Sequence, residues 1–176
     1  MLKNLSLRFD AVEDRLLLRL HLIGAAGLES VHALHLTRRL CAAWRGDLQS
    51  MLDASAGPPS HLGQSAKAAV SKAHHQAMSA QAVARTEPAP PSDETANETP
   101  QLVTAIACGK RVSDSRWIVR FTLKNQTSIS LVLTAQTLHA LVDALSRRVQ
   151  VAQWALSPIA VESKEAAPPT LAKEFH

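Results

Sequence analysis

The sequence predicts an α+β protein: two β-β-β-α repeats forming an intramolecular pseudo-dimer, with an Ala-rich helix and a disordered linker between them. Two observations predict this fold. In each half, three short runs alternate apolar and polar residues, as half-buried strands do, and a helical apolar period follows them. In addition, RLLLRLHL at 15–22 matches RWIVRFTL at 116–123 in the spacing of its arginines. An internal repeat of this kind would decide the architecture.

The first repeat is expected within residues 1–55. Three strands are predicted at 5–9 (LSLRF), 15–22 and 31–36 (VHALHL), separated by the turn DAVED and by a glycine-containing loop. Thr37 is in position to cap a helix. The apolar residues of that helix fall on one face, at Leu40, Cys41, Trp44, Leu48, Met51 and Leu52.

Residues 56–100 are expected to link the repeats. Their Ala-rich part, about 61–85, favours a helix with a weakly apolar stripe, so we expect it to pack lightly or to stand alone. The stretch 86–100 is rich in Pro, Glu, Ser and Thr and is predicted to be disordered, because it cannot bury enough apolar surface to offset its ordering entropy. The stripe consists of Leu62, Ala66, Ala69, Val70, Ala73 and Met78.

The second repeat is expected at 101–156, followed by a flexible tail at 157–176. Strands are predicted at 102–108, 116–123 and 129–133, and Thr134 is the expected helix cap. One unit of three strands and a helix is small for independent stability, so the two units should pack together. The pattern leaves open whether their sheets join edge to edge or face to face. The second helix has its apolar face at Leu138, Leu141, Val142, Leu145 and Val149.

Each repeat carries a row in which an apolar residue stands between two arginines on the side of the strand expected to face solvent. One interpretation is that the arginine stems lie over the apolar residue and cover it. The other is a contact face for an acidic or phosphate-bearing partner. The predicted partner-binding residues are Arg15, Leu17 and Arg19 in the first row, and Arg116, Ile118 and Arg120 in the second.

The net charge of +4 is unevenly distributed. Residues 101–156 hold seven Lys and Arg against two Asp and Glu, so most of the basic character lies in the second repeat. This excess favours an acidic partner for that repeat, although a solubility surface would give the same count.

No catalytic, cofactor-binding or metal-binding residues are predicted. The chain has no G-x-x-x-x-G-K-[ST], G-x-G-x-x-G or G-x-S-x-G motif. His32 and His35 would point to opposite faces of a strand, and His74 and His75 would diverge on a helix, so neither pair suits one ion. These histidines, and His139 at the edge of the core, are expected to be packed or solvated.

Two distant cysteines favour a reducing compartment, and the chain has no apolar stretch of membrane-spanning length, so we expect a cytoplasmic protein without a membrane partner. The predicted function is that of a non-enzymatic accessory or scaffolding protein, which binds a protein partner through its sheet faces or the Ala-rich helix. The alternative is a nucleic-acid-binding protein that uses the basic second repeat. An enzyme subunit completed by a partner chain ranks last, and the oligomeric state is left open.

Overall fold

The computed structural model describes residues 2–24, 26–57, 64–83 and 99–156. Within these ranges the chain is α+β, with six strands and three helices. The predicted flexible tail and all but the last two residues of the predicted disordered stretch lie outside the described residues. In chain order the elements are β1 (Leu2–Asp10), β2 (Arg15–Ile23), β3 (Glu29–Thr37), α1 (Arg38–Ala56), α2 (Gln64–Val83), β4 (Gln101–Lys110), β5 (Trp117–Leu123), β6 (Ser128–Leu133) and α3 (Ala135–Val151).

The strands form one mixed sheet in the order β1-β2-β3-β4-β5-β6. Neighbours are antiparallel within each half, whereas β3 and β4 are parallel and pair only at Leu34 with Gln101 and at His35 with Leu102. The halves therefore join edge to edge, which the sequence pattern had left open. Residues of the two outermost strands, β1 and β6, lie within 8 Å of each other between Cα atoms, so the sheet curls.

The inner face of the curled sheet and the helices share one hydrophobic core. α1 packs against β3 and β4, and α3 packs against β1 and β6, so each helix contacts both halves. The Trp44 ring of α1 meets Phe121 of β5 edge to face, with centroids 5.7 Å apart. From α3, Arg148 Nε donates to the carbonyl of Leu7 at 2.8 Å. The two halves therefore stabilise each other through their helices.

The predicted strand faces and helix caps are confirmed. Thr37 Oγ1 accepts from the Leu40 N–H at 3.3 Å, and Thr134 Oγ1 accepts from the Thr137 N–H at 3.2 Å. No helix in the described part of the chain has both the length and the apolar character needed to cross a membrane. The strand residues predicted to face the core are buried at Leu16, Leu18, Leu20, Trp117, Val119, Phe121 and Leu123, and Leu22 is half-buried.

The Ala-rich helix exists as α2 and packs mainly against α3, with further contacts to α1. Most of its weakly apolar stripe faces outward: Ala66, Ala69 and Ala73 are exposed, Val70 is 38% exposed, and Met78 is half-buried. Leu62, the first residue of the stripe, lies outside the described residues. His75 is buried instead, so α2 is held by a polar contact as well as by packing. Alanine side chains bury little apolar area and so contribute little free energy to packing, which is why the stripe did not decide the orientation of this helix.

Candidate functional site

We call the predicted residues Arg15, Leu17 and Arg19 the β2 row. On the outer face of the sheet, Leu17 lies between Arg8 of β1 and His35 of β3. Only 5% of the Leu17 surface is exposed, so this residue offers a partner almost no apolar area.

The charges of the β2 row are partly engaged. Arg15 Nη1 lies 2.8 Å from the Glu13 carboxylate, which is also 3.8 Å from His35 Nδ1. Arg15 and Arg19 are half-buried, and the Arg19 Nε atom is buried. Long arginine stems that cover an apolar neighbour leave little of it for a second molecule to contact.

We call Arg116, Ile118 and Arg120 the β5 row, and it is more open. Arg116 directly precedes β5, and both arginines are exposed, while Ile118 is half-buried. Two of the cross-strand neighbours are small: Ile118 pairs with Gly109, and Arg120 pairs with Ala107. Small neighbours leave the outer side of Ile118 and Arg120 accessible.

The two rows do not form one surface. In the order of the sheet, β3 and β4 stand between β2 and β5. Three strand spacings separate the rows by roughly 14 Å along the sheet, and the curl turns them further apart. Each row must therefore be considered as a separate contact surface.

A pocket of about 350 Å³ opens beside the β5 row. The last turn of α1, the hairpin between β4 and β5 and the start of α3 surround it. Ser55, Lys110 and Arg116 line this pocket, and so do Asp114 and Trp117. The Lys110 ammonium lies 5.3 Å from the centroid of the Trp117 ring, a cation–π contact.

Asp114 organises the cationic side of the pocket. Its carboxylate accepts from Arg111 Nε at 2.7 Å and lies 3.3 Å from Arg116 Nε. The hydrogen bond from Arg111, aided by the nearby charges, lowers the pKa of Asp114 to about 2. The carboxylate is therefore ionised at neutral pH, and the cations around it still outnumber it.

A chain of four hydrogen-bonding side chains leads from this pocket into the interior, and we call it the Ser–His–His–Asp chain. Ser55 Oγ lies 2.9 Å from His139 Nε2, and His139 Nδ1 lies 2.6 Å from His75 Nδ1. His75 Nε2 lies 2.8 Å from Asp143 Oδ1. The chain joins α1, α2 and α3. Both histidines are buried, whereas the two ends of the chain, Ser55 and Asp143, are half-buried, and Ser55 lines the pocket.

Burial keeps His139 neutral at physiological pH. The pKa of His139 is lowered to about 4, mainly by loss of hydration and then by the positive charges that His75 and His74 can carry, while Asp143 opposes the shift. A neutral imidazole has one N–H donor and one free acceptor nitrogen. His139 can therefore accept a hydrogen bond at one nitrogen while it donates from the other.

The sequence pattern does not predict this chain. His74 and His75 are expected to diverge on a helix, whereas in the structure both rings flank His139, with centroids 5.1 and 4.8 Å away. One signal was available, because His139 and Asp143 stand four apart on a helix and so share a face. The sequence does not predict which side of α2 packs against α3. Among the described residues, no group of three or more His, Cys, Asp or Glu side chains is arranged to hold a metal ion.

The two cysteines are free thiols and lie away from this chemistry. Burial raises the pKa of Cys41 to about 12, and it also raises the pKa of Cys108, whose Sγ accepts from Trp44 Nε1 at 3.1 Å. Since the thiolate is the reactive form, neither cysteine is activated as a nucleophile.

Comparisons of this chain with models of protein families, with curated proteins and with solved structures found no match in any of the three.

Proposed function

We propose that this protein is an accessory or scaffolding protein that binds an acidic surface of another macromolecule through the β5 row. The observation that carries the proposal is the form of that row: two exposed guanidinium groups stand on either side of the half-buried Ile118. Ile118 and Arg120 lie on the face of the sheet opposite to the core. Arg116 stands just before β5, where it also lines the pocket and lies 3.3 Å from Asp114. Binding, rather than catalysis, is the role that this face supports.

The chemistry of the β5 row suits a carboxylate-rich protein surface. Arginine binds carboxylates through two parallel hydrogen bonds, and an apolar centre with a polar rim is the usual composition of a protein interface. A standard interface buries about 800 Å² on each partner. The row would therefore form the centre of a larger contact that includes the exposed Lys124.

The charge of the second half supports the same partner class. Both acids of residues 101–156 already have partners, because Asp114 bonds Arg111 and Asp143 bonds His75. The basic excess of this half is therefore available to an incoming acidic group, and it would accelerate association at low salt.

A nucleic acid is the second candidate partner, and the same cationic excess favours it. Against it stands the position of the aromatic side chains. Trp117 is 7% exposed and Phe121 is fully buried, so neither offers a ring on which an unpaired base could stack. We therefore rank a protein partner first.

A native pull-down from the source cells tests the proposal. Tagged wild-type protein is compared with Arg116→Glu/Arg120→Glu and with Arg38→Glu/Arg39→Glu, a control with the same change of charge at two exposed positions of α1. We expect the β5-row variant to lose the captured partner at least tenfold, and the control to retain it. Bound material is identified by mass spectrometry with and without nuclease.

Three outcomes would contradict the proposal. Retention of the same partner by the β5-row variant would exclude the row as the contact surface. Loss of all captured material on nuclease treatment would replace the protein partner with nucleic acid. A partner lost equally from both variants would point to a general charge effect rather than to a specific row.

We infer that the two halves arose as a repeat and pack as a pseudo-dimer. Three correspondences support this. The β-β-β-α order recurs in β1–α1 and in β4–α3. Each third strand is followed by a capping threonine, Thr37 or Thr134. Both first hairpins contain a residue with a left-handed backbone, Asp14 with φ 49° and Ser115 with φ 55°, directly before the arginine that opens each row.

We also propose a cytoplasmic location. Cys41 and Cys108 remain unpaired, as is usual where glutathione keeps thiols reduced.

A further inference from the structure

We propose that Ser55 is an activated nucleophile and that the pocket it lines hydrolyses carboxylic esters whose acyl part carries a negative charge. This activity goes beyond the proposed binding function, because it uses the pocket and the Ser–His–His–Asp chain rather than the β5 row alone. It rests on geometry: a buried chain of hydrogen bonds ends on a serine that lines an open pocket.

The direction of the hydrogen bonds follows from the carboxylate. Asp143 in its ionised form only accepts, so His75 must donate from Nε2. A neutral His75 then accepts at Nδ1, which requires His139 to donate from its own Nδ1. His139 Nε2 is left with its lone pair facing Ser55 Oγ, and it accepts the serine hydroxyl. This is the arrangement a general base needs next to a nucleophile.

The second histidine solves an electrostatic problem. A buried His139 would resist carrying a positive charge, since it has little water around it. When His139 Nε2 takes the serine proton, its Nδ1 proton can pass to His75 across the 2.6 Å hydrogen bond. The positive charge then lies on His75, beside the Asp143 carboxylate. His75 and Asp143 are thus positioning residues, while Ser55 and His139 exchange protons with the reacting groups.

The pocket supplies positive charge on the other side of Ser55. Lys110 and Arg116 line it together with one carboxylate, that of Asp114, and Thr134 and Ala135 contribute the amino end of α3. Cationic side chains and a helix amino end both favour negative charge. They can hold an anionic acyl group in place and stabilise the oxyanion that forms during attack.

A comparison between the halves, which relies on the proposed repeat, indicates the size of group that fits. In the first half, Phe9 packs against Trp154 from the second half with ring centroids 6.0 Å apart, and the indole N–H of Trp154 donates to Asp14 at 2.7 Å. The corresponding residues of the second half, Lys110 and Ser115, line the pocket. The pocket therefore occupies the position at which the first half binds the indole of Trp154. A planar aryl group of a substrate is close to an indole in size and would fit there.

The reaction balances with water as the second substrate. Ser55 Oγ bonds to the acyl carbon as its proton passes to His139, and collapse of the tetrahedral intermediate breaks the ester bond. The leaving alcohol takes the proton back, so that an acyl-serine remains. Water then attacks the acyl-serine by the same route and releases the acid and free Ser55.

Covalent labelling of the whole polypeptide with a fluorophosphonate probe is the first test. The probe forms a bond between Ser55 Oγ and phosphorus and expels fluoride. We expect the label on the peptide that contains Ser55 and none on that peptide in Ser55→Ala. The control is Ser50→Ala, which removes another α1 serine hydroxyl, bonded to the Gly46 carbonyl at 3.0 Å, and should leave the labelling unchanged.

Turnover of two chromogenic esters, the mono-4-nitrophenyl ester of succinic acid and 4-nitrophenyl butyrate, is the second test. We expect the succinate ester to be preferred and Lys110→Ala to raise its KM without changing that of the butyrate ester. Asp143→Asn should lower kcat at least tenfold with KM unchanged, because a neutral amide cannot stabilise a charged His75. Far-UV circular dichroism verifies that each variant folds.

Failure would be plain in either test. If Ser55→Ala hydrolyses the succinate ester as fast as the wild type, or if the probe does not react with Ser55 in the folded protein, the proposal is wrong. Neither result would affect the proposed partner binding, which the pull-down with the β5-row variant measures separately.

Discussion

Leu17 and Ile118 occupy the same place in two similar sequence patterns, yet they differ in burial. Leu17 is 5% exposed, with Arg8 and His35 as cross-strand neighbours, whereas Ile118 lies between Gly109 and Val132 and is half-buried. The side chain across the strand therefore decides whether an outward apolar residue is covered. The alternation alone could predict which face each residue is on, but not how deeply it is covered.

Truncation of these two residues should have unequal effects on stability. We expect Leu17→Ala to lower the free energy of unfolding by about 2 kcal/mol, at the low end for a buried leucine because the arginine stems above it can settle into the space. Ile118→Ala should cost less than about 1 kcal/mol, since part of its surface is already in water. Urea unfolding measures both. Equal losses would mean that the β5 row is as covered as the β2 row.

For the Ser–His–His–Asp chain, the sequence predicts the burial of one residue but not the contacts between the four. The sequence predicted that His139 edges the core, and it is indeed buried at 1% exposure. The two hydrogen-bond partners of His139, Ser55 and His75, come from two other helices and are distant from it in sequence. No local pattern carries such information, because the angle at which α2 crosses α3 decides which histidine meets which.

At the scale of elements, α2 differs from the other helices in what holds it. α1 and α3 bury continuous apolar faces, whereas the only buried side chain among those described in α2 is His75. The cap threonines and the 3.6-residue apolar period predicted where α1 and α3 begin and which faces they bury. Alanine content predicted the existence of α2, but its orientation depends on hydrogen bonds that appear only after the helices meet.

The stability of the protein should fall as the pH drops from about 6.5 to 4. The pKa of His139 is lowered to about 4 in the folded protein. Burial is the largest cause, His75 and His74 act in the same direction, and Asp143 opposes them. The unfolded chain has the ordinary histidine value near 6.5, so in this window it binds a proton that the folded protein does not. The full contribution is present above pH 6.5, and roughly 3 kcal/mol of it is lost by pH 4.

Urea unfolding at a series of pH values checks this dependence. His139→Gln lacks the titrating imidazole, so its free energy of unfolding should change less between pH 6.5 and 4 than that of the wild type. The same slope in the variant and in the wild type would assign the dependence to other groups.

At the scale of the whole molecule, the short strand pairing between the halves is reinforced by contacts that their helices make. The parallel seam of β3 and β4 has only two residue pairs. Side chains of the two halves also contact each other directly. Trp44 contacts Phe121 and Cys108 of the second half, and Trp154 contacts Phe9 and Asp14 of the first. Neither half has a core of its own, since both contribute to one cluster.

We therefore expect the protein to unfold in one cooperative transition. Tryptophan fluorescence and far-UV circular dichroism should report the same urea midpoint. Trp44→Phe should shift both signals together, because the side chain it truncates belongs to the shared core. Two separate midpoints would show that the halves unfold independently and that the contacts between them contribute little.

The sequence by itself determined the strands, the caps, the two long amphipathic helices and the inward faces, because each depends on side chains a few residues apart. Only the tertiary structure decided how the two sheets join, which arginine row stays open and which side of α2 packs. It alone brought Ser55, His75, His139 and Asp143 into one chain. These features depend on contacts between distant segments, and their geometry is fixed only when the helices cross the seam between the two halves.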